Sequence, residues 1–291
     1  MPILLVGRIL YNRQIRTYYM NTTVVISNFN YPHYVRCAIE SCVKQTIPCH
    51  IIVVDDCSND SSWDVIKSCK EEFSDASMEI IRLGSNSGGN ARGKNVGISL
   101  CNTEYVICLD SDDALLPDSI EIRLPHFSSN IDWVHGRALR MRSYGPYYKL
   151  MQKANKDNRN TLIAKEMYKK HILALPENHI KWYKGVEAST VMARKSCYST
   201  VGLYDENLKW KIDREMWYRF LTHDVRKKYI KDPVSIYRNH PDQVTKNRSR
   251  KNPVKVNKMF DEIIEKRKIL TPENTIMLNT YNPNKYIDKR I

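Results

Sequence analysis

The chain has 291 residues, 42% hydrophobic and 27% charged, with 46 Lys and Arg against 32 Asp and Glu and a formal net charge of +14. This is the balance of a folded protein with a large core, and it excludes a disordered or collagen-like chain. The longest apolar runs, such as Ile51 to Val54, fall far short of the roughly 18 residues that cross a bilayer, and the opening MPILLVGRIL is too short before Arg8 for a signal peptide.

Residues 1–20 read as an N-terminal extension ahead of the core fold. From Thr22 the pattern alternates. TTVVISNFN (22–30) is a strand that ends in polar residues. PHYVRCAIESCVKQT (32–46) opens on proline, which suits a first helical turn, and sets Val35, Ile39, Cys42 and Val43 on one face. HIIVVDD (50–56) has four apolar residues in a row and then two aspartates, as in a strand buried on both faces of a parallel sheet. A helix over 61–73, a strand over 79–83, a helix over 90–101 and a strand over 104–110 follow. The order is that of a doubly wound α/β fold, whose ligands bind beyond the carboxyl ends of the strands. After Pro117 the pattern loosens. It predicts a short helix (117–127), a strand (132–141), a polar loop (143–160), a helix (161–173), a strand (187–194), a helix (213–221), two strands (226–230 and 234–240) and an amphipathic helix (253–270).

The polar residues gather at the strand ends: Ser27 and Asn30 after the first, Asp55 and Asp56 after the second, Asp110, Asp112 and Asp113 after the fourth. Three carboxylates within four positions repel one another. A divalent cation offsets that cost, and Mg²⁺ or Mn²⁺ is commonly held by one or two carboxylates together with substrate phosphates. The plainer reading is a polar capping loop. The eight cysteines form no CxxC pair and no zinc spacing, and read as reduced core residues of a cytosolic-type protein. The basic excess suits an anionic partner, with KNRSRKNPVK (246–255) concentrating it.

Five stretches, in order, carry a resemblance. VVISNFNYPHYVRCAIESCVKQT, IIVVDDCSNDSS, NSGGNARGKNVGI, CLDSDD and VGLYDENLKWKIDREMWYRF resemble the motifs of family 2 glycosyltransferases over about residues 22–245. The resemblance implies a GT-A (Rossmann-like) nucleotide-sugar-binding fold with a mixed central sheet and a C-terminal helical extension. It implies a domain over 21–245, with a nucleotide-binding half about 21–115 and an acceptor-binding half about 116–245, followed by a basic helix and tail over 246–291. Ser27 and Asn30 would lie near the nucleotide, and Asp56 or its neighbour Asp55 would hold the base edge. Asp110 and Asp112 would meet the ribose and the metal-diphosphate. Asp112, Asp113 and His240 would be metal ligands for Mn²⁺ or Mg²⁺. Lys94 stands where the family commonly has arginine, and either Lys94 or Arg92 would reach the nucleotide. Glu187, Ser189 and Trp182, with Tyr183, would line the donor-sugar or acceptor pocket. Asp213 would be the general base, and the Glu expected before it is Ile212 here. Trp217 and Arg219 would be packing and ion-pair residues of that helix.

The implied reaction is inverting transfer from a nucleotide-sugar, commonly a UDP-sugar in this family, to a glycan, lipid-linked sugar or protein. A nucleotidyltransferase would want a glycine-rich basic loop after the first strand, where this chain has SNFNYPHY. A catalytically silent scaffold fits Lys94 and Ile212 but not the retained DSDD and Asp213. Nucleic-acid binding would want aromatics among the basic residues, which 246–255 lacks. The expected protein is cytoplasmic, soluble or peripheral to an anionic membrane surface.

Overall fold

A computed structural model describes residues 20–142, 186–208, 211–240, 243 and 275–289. The expectations for 1–19, the loop and helix between 143 and 173, Trp182 and Tyr183, and the helix over 253–270 lie outside the described residues.

The first half runs β1 (Thr22–Asn28), α1 (Pro32–Val43), β2 (His50–Asp55), α2 (Ser62–Glu72), β3 (Met78–Arg82), α3 (Ala91–Leu100) and β4 (Tyr105–Asp110). These four strands are parallel neighbours in the order β3-β2-β1-β4. Alternation along the strands divides their side chains between two layers. Val24, Ile26, Ile51, Val53, Ile107 and Leu109 pack with Val35, Ile39 and Ile66 of α1 and α2. Val25, Val106 and Cys108 face the other way, toward a core that includes Trp217 and Phe220. Helix α3 lies unusually close to β1. A Cβ on Gly93 would stand 2.3 Å from Ser27 Oγ, and one on Gly97 would stand 2.2 Å from Val25 Cγ1.

The second half adds β5 (Ala114–Leu115), α4 (Ser119–Arg123), β6 (Trp133–Arg142), β7 (Val191–Arg194), α5 (Lys195–Val201), α6 (Ile212–Thr222) and β8 (Lys227–Asn239). The full sheet reads β3-β2-β1-β4-β7-β6-β8-β5, with β7 antiparallel to both β4 and β6. It is mixed, as expected. Three local expectations change. Ala188–Thr190 form a 3₁₀ turn, so the strand expected over 187–194 is only β7. The helix expected over 117–127 is α4 followed by a 3₁₀ turn at Leu124–His126. The two strands expected around Pro233 are one, because register shifts between His135 and Ala138 place the proline in an irregular stretch of the ladder. A residue with no N–H to donate is tolerated there.

Residues 275–289 return to the first half. Leu203 N donates to Ile276 O at 2.7 Å, Gly84 N to Tyr286 O at 2.9 Å, and Asp288 N to Arg82 O at 2.9 Å. A bridge between Leu83 and Ile287 continues the edge beyond β3. All eight cysteines are free, six of them buried. Among the described residues no helix is long and apolar enough to cross a membrane.

Candidate active site at the strand ends

A cavity of about 530 Å³ opens where β1, β2 and β4 end and α6 begins. Ser27, Asn30, Asp56, Asp110, Asp112 and Asp213 all line it, and Asp113 and Glu187 also reach its wall.

The two neighbouring aspartates after β2 have different surroundings. Asp56 accepts from Ser87 Oγ at 2.8 Å, Ser87 N at 3.1 Å and Asn86 Nδ2 at 3.0 Å. Burial pushes its pKa up to about 6, although the Ser87 donors favour the carboxylate. Asp55 is absent from the cavity wall, contrary to one expectation. It is fully buried and accepts from Asn28 Nδ2 at 3.0 Å, Ser58 Oγ at 2.6 Å and Ser58 N at 3.0 Å, with Arg82 Nε at 3.6 Å. These bonds hold the turn in which Cys57 adopts a left-handed φ of 59°. Asn30, also left-handed, laces the same turn to the loop after β1. Its N–H donates to Ser58 Oγ and its Oδ1 accepts from Asn59 N, both at 3.0 Å.

Arg92 and Lys94 separate as clearly. At 100° per residue they lie about 200° apart around α3. Arg92 turns from the cavity, pairing Glu206 at 2.9 Å and stacking 4.6 Å over Tyr286. Lys94 is fully buried, with Nζ 3.1 Å from Asp110 Oδ1 and 2.9 Å from Asp213 Oδ1. Burial alone would lower its pKa, but the two carboxylates more than reverse this and hold the ammonium above its ordinary value. Asp110 sits at about 6, raised by burial and by Asp213 and Asp112 and lowered by Lys94. Asp213 lies in the first turn of α6, where the helix dipole favours a negative charge.

His240 Nε2 lies 3.1 Å from Asp112 Oδ2, and its buried ring packs on Tyr34 at 4.4 Å between centroids. Asp113 reaches the same wall with both of its oxygens already bonded. One oxygen accepts from Arg238 N at 3.1 Å and the other from Ser189 Oγ at 3.4 Å, and burial and the neighbouring aspartates raise its pKa well above the usual range. Ser189 therefore stands behind Asp113, bonded also to Ser235 Oγ at 3.1 Å, and does not line the cavity. The described residues hold no cluster of three metal-ligating side chains. Asp112 and His240 still offer a carboxylate oxygen and an imidazole nitrogen side by side. That pair fits a Mn²⁺ or Mg²⁺ ion whose remaining ligands are diphosphate oxygens and water.

Sequence reasoning did not single out Asn86 and Ser87, although both lie in or beside the quoted NSGGNARG stretch. It also missed Phe29, Tyr31, Tyr237, Lys211 and Gln243 on the cavity wall. No short pattern marks these, since they converge from three distant segments: the loop after β1, the residue before α6, and β8 with the residues after it. Trp217 and Arg219 behave as the sequence suggests. Trp217 stacks on Trp133 at 5.6 Å, and Arg219 pairs with Glu215 at 2.8 Å.

Comparison with known proteins agrees with this architecture. A poly(ribitol-phosphate) β-N-acetylglucosaminyltransferase of Staphylococcus aureus is 27% identical over 105 residues, covering 35% of this chain and 18% of that protein. A poly(ribitol-phosphate) β-glucosyltransferase of Bacillus spizizenii is 32% identical over 112 residues, 38% of this chain and 17% of that one. The chain thus matches under a fifth of the length of these two relatives. The crystal structure of S. aureus TarS residues 1–349 with UDP-GlcNAc superposes with a TM-score of 0.56 at 19% identity, covering 77% of this chain and 60% of that one. A mannosyltransferase of Pyrobaculum calidifontis, in complex with GDP-Man and Mn²⁺, superposes at 0.57 with 14% identity, covering 81% and 62%. These likenesses establish the GT-A fold. The sequence model of "Glycosyl transferase family 2" matches residues 23–180, more than half of the chain, and the chain belongs to that family.

Proposed function

We propose that the chain is a metal-dependent, inverting glycosyltransferase that moves a sugar from a nucleotide-sugar, a UDP-sugar by preference, to a hydroxyl of a glycan, lipid-linked or protein acceptor. One observation carries the reading. A single cavity is lined by Asp56, Asp110 and Asp112 at the strand ends and by Asp213 at a helix start. Asp56 would accept an imino N–H from the base edge. Asp110 offers its carboxylate to the ribose. Asp112 and His240 would hold the cation, which supplies Lewis-acid neutralisation of the leaving diphosphate.

Asp213 supplies the general base. Its carboxylate takes the acceptor proton as the acceptor oxygen bonds to the anomeric carbon and the sugar–diphosphate bond breaks on the opposite face. The one-step reaction needs no protein nucleophile. Lys94 is the residue of the Arg92/Lys94 pair assigned to the site, and Glu187 is assigned to the sugar. The net charge of +14 supports an anionic acceptor or an anionic membrane surface nearby. The donor half is assigned to about 21–115 and the acceptor half to 116–245.

The test is a thermal-shift panel of UDP, GDP, dTDP and CMP with and without Mn²⁺, on wild type and Asp112→Asn. A ligand at 100 times its Kd stabilises by about 2.7 kcal/mol. At about 2–4 °C per kcal/mol, that is a rise of about 5–11 °C. The expected result is a Mn²⁺-dependent rise for UDP that the variant loses. No shift with any nucleotide would remove the proposed donor site.

A further inference from the structure

The buried ammonium of Lys94 spans two carboxylates with different assigned tasks. Asp110 belongs to the donor side of the cavity and Asp213 to the acceptor side, and both are partly exposed while Lys94 is not. Nζ sits 3.1 Å from Asp110 Oδ1 and 2.9 Å from Asp213 Oδ1, with the Tyr204 ring 5.3 Å away. The position of Lys94 is fixed from behind. Next to it, Asn95 Nδ2 donates to Tyr204 O at 2.8 Å while Asn95 Oδ1 accepts from Tyr204 N at 2.8 Å, which pins the loop before α6 to α3. Gly93, on its other side, seats α3 on β1 with no side chain between. Lys94 therefore projects from a helix whose distance to both halves is set. Only Oδ1 of Asp213 is bonded to it, and Oδ2 accepts no hydrogen bond among the described residues.

We propose that Lys94 is a positioning residue that locks the Asp213 carboxylate in register with the donor site, holding Oδ1 so that Oδ2 is the oxygen that takes the acceptor proton. This rests on the glycosyltransferase reading above. Lys94 itself touches neither reacting atom. Its effect is to transmit the placement of Asp110, where the ribose binds, to the placement of the base. An acceptor hydroxyl then finds Oδ2 at a fixed distance from the anomeric carbon. A lysine provides a compact point charge able to serve two carboxylates at once from a fully buried stem.

The test uses the full chain and the variants Lys94→Met, Lys94→Arg, Asp213→Asn and the Met/Asn double substitution. The first arm is crystallographic, with UDP and Mn²⁺. Lys94→Met is expected to keep the fold and bind UDP while the Asp213 carboxylate leaves its orientation, and Lys94→Arg to restore it. If Lys94→Met does not fold, the Arg variant carries this arm, with Asp213 expected to remain bonded to the guanidinium. The second arm measures UDP release from UDP-glucose and UDP-N-acetylglucosamine with water as acceptor. Lys94→Met should lower kcat about 10²-fold, the lower end of a general base's contribution. The donor KM should change far less. In the Asp213→Asn background the same substitution should lower kcat no further, because residues that act as one unit are not additive. An unmoved Asp213 in Lys94→Met, or kcat losses that add, would overturn the proposal. Wild type that binds none of UDP, GDP, dTDP or CMP overturns the donor-site reading instead, and the lock falls with it.

Discussion

Replacing Arg219 by methionine should destabilise the protein more than any exposed substitution. Arg219 and Glu215 lie one turn apart on α6, and each is almost wholly buried. Nε and Nη2 of Arg219 donate to the two oxygens of Glu215, both at 2.8 Å. Nη1 donates to Val201 O at 2.6 Å, and Nη2 also to Leu203 O at 2.9 Å. The substitution leaves the Glu215 carboxylate in the core without its guanidinium and strips a donor from two carbonyls. Removing one partner of a buried pair costs about 3–5 kcal/mol. At about 2–4 °C per kcal/mol, the melting temperature should fall by about 6–20 °C. Replacing both residues, as Glu215→Leu with Arg219→Met, removes the stranded charge and should recover most of the loss. Urea denaturation with a matched calorimetric scan measures both. A single variant that loses less than about 1 kcal/mol, or a double variant no better than the single, would refute the reasoning, since surface ion pairs are worth that little.

Gly93→Ala sets a helix-propensity gain of about 1 kcal/mol against an overpacking cost of about 1–3 kcal/mol, because its Cβ would meet Ser27 Oγ at 2.3 Å. It should lower both the melting temperature and UDP affinity by calorimetry, because Ser27 lines the cavity. Gly97→Ala meets Val25 instead and should lower the melting temperature alone. The Asp56 pKa of about 6 stands above its ordinary 3.8. The folded state therefore binds that proton more tightly than the unfolded chain, and this group favours folding on the acid side of the window between the two values. Its acceptor function runs the opposite way. UDP binding should be full above pH 6 and weaken as pH falls through 6, and Asp56→Asn should make that part of the profile shallower in a titration at fixed Mn²⁺, leaving the share that Asp110 contributes in the same range.

The sheet and the strand-end carboxylates were legible because burial on both faces leaves long apolar runs, as in Ile51 to Val54, and the site sits where those runs stop. Helix α5, KSCYSTV, was not. Its Ser, Thr, Cys and Val are weak helix formers, and packing of Tyr198 and Val201 into the core sustains it. The strand through Pro233 looks like two in the sequence because the irregular pairing that admits a proline leaves no local trace. Between Asp55 and Asp56, the deciding facts are Ser58 in the turn itself and Arg82, Asn86 and Ser87, which arrive from other segments. Between Arg92 and Lys94, helical spacing says that they oppose each other. Which one faces the site depends on how α3 seats on β1.

Residues 275–289 come after everything they cover. As the chain leaves the ribosome, the parallel strands β1 to β4 can all be out while, at the outer flank of β3, the Gly84 N–H and the Arg82 carbonyl still await Tyr286 and Asp288. An unpaired strand edge of this kind templates addition of a foreign strand. Synthesis therefore includes an interval, as long as it takes to make the residues between β8 and Thr275, in which this edge stands open to such addition. Residues 275–289 end that interval, through Tyr286 and Ile287.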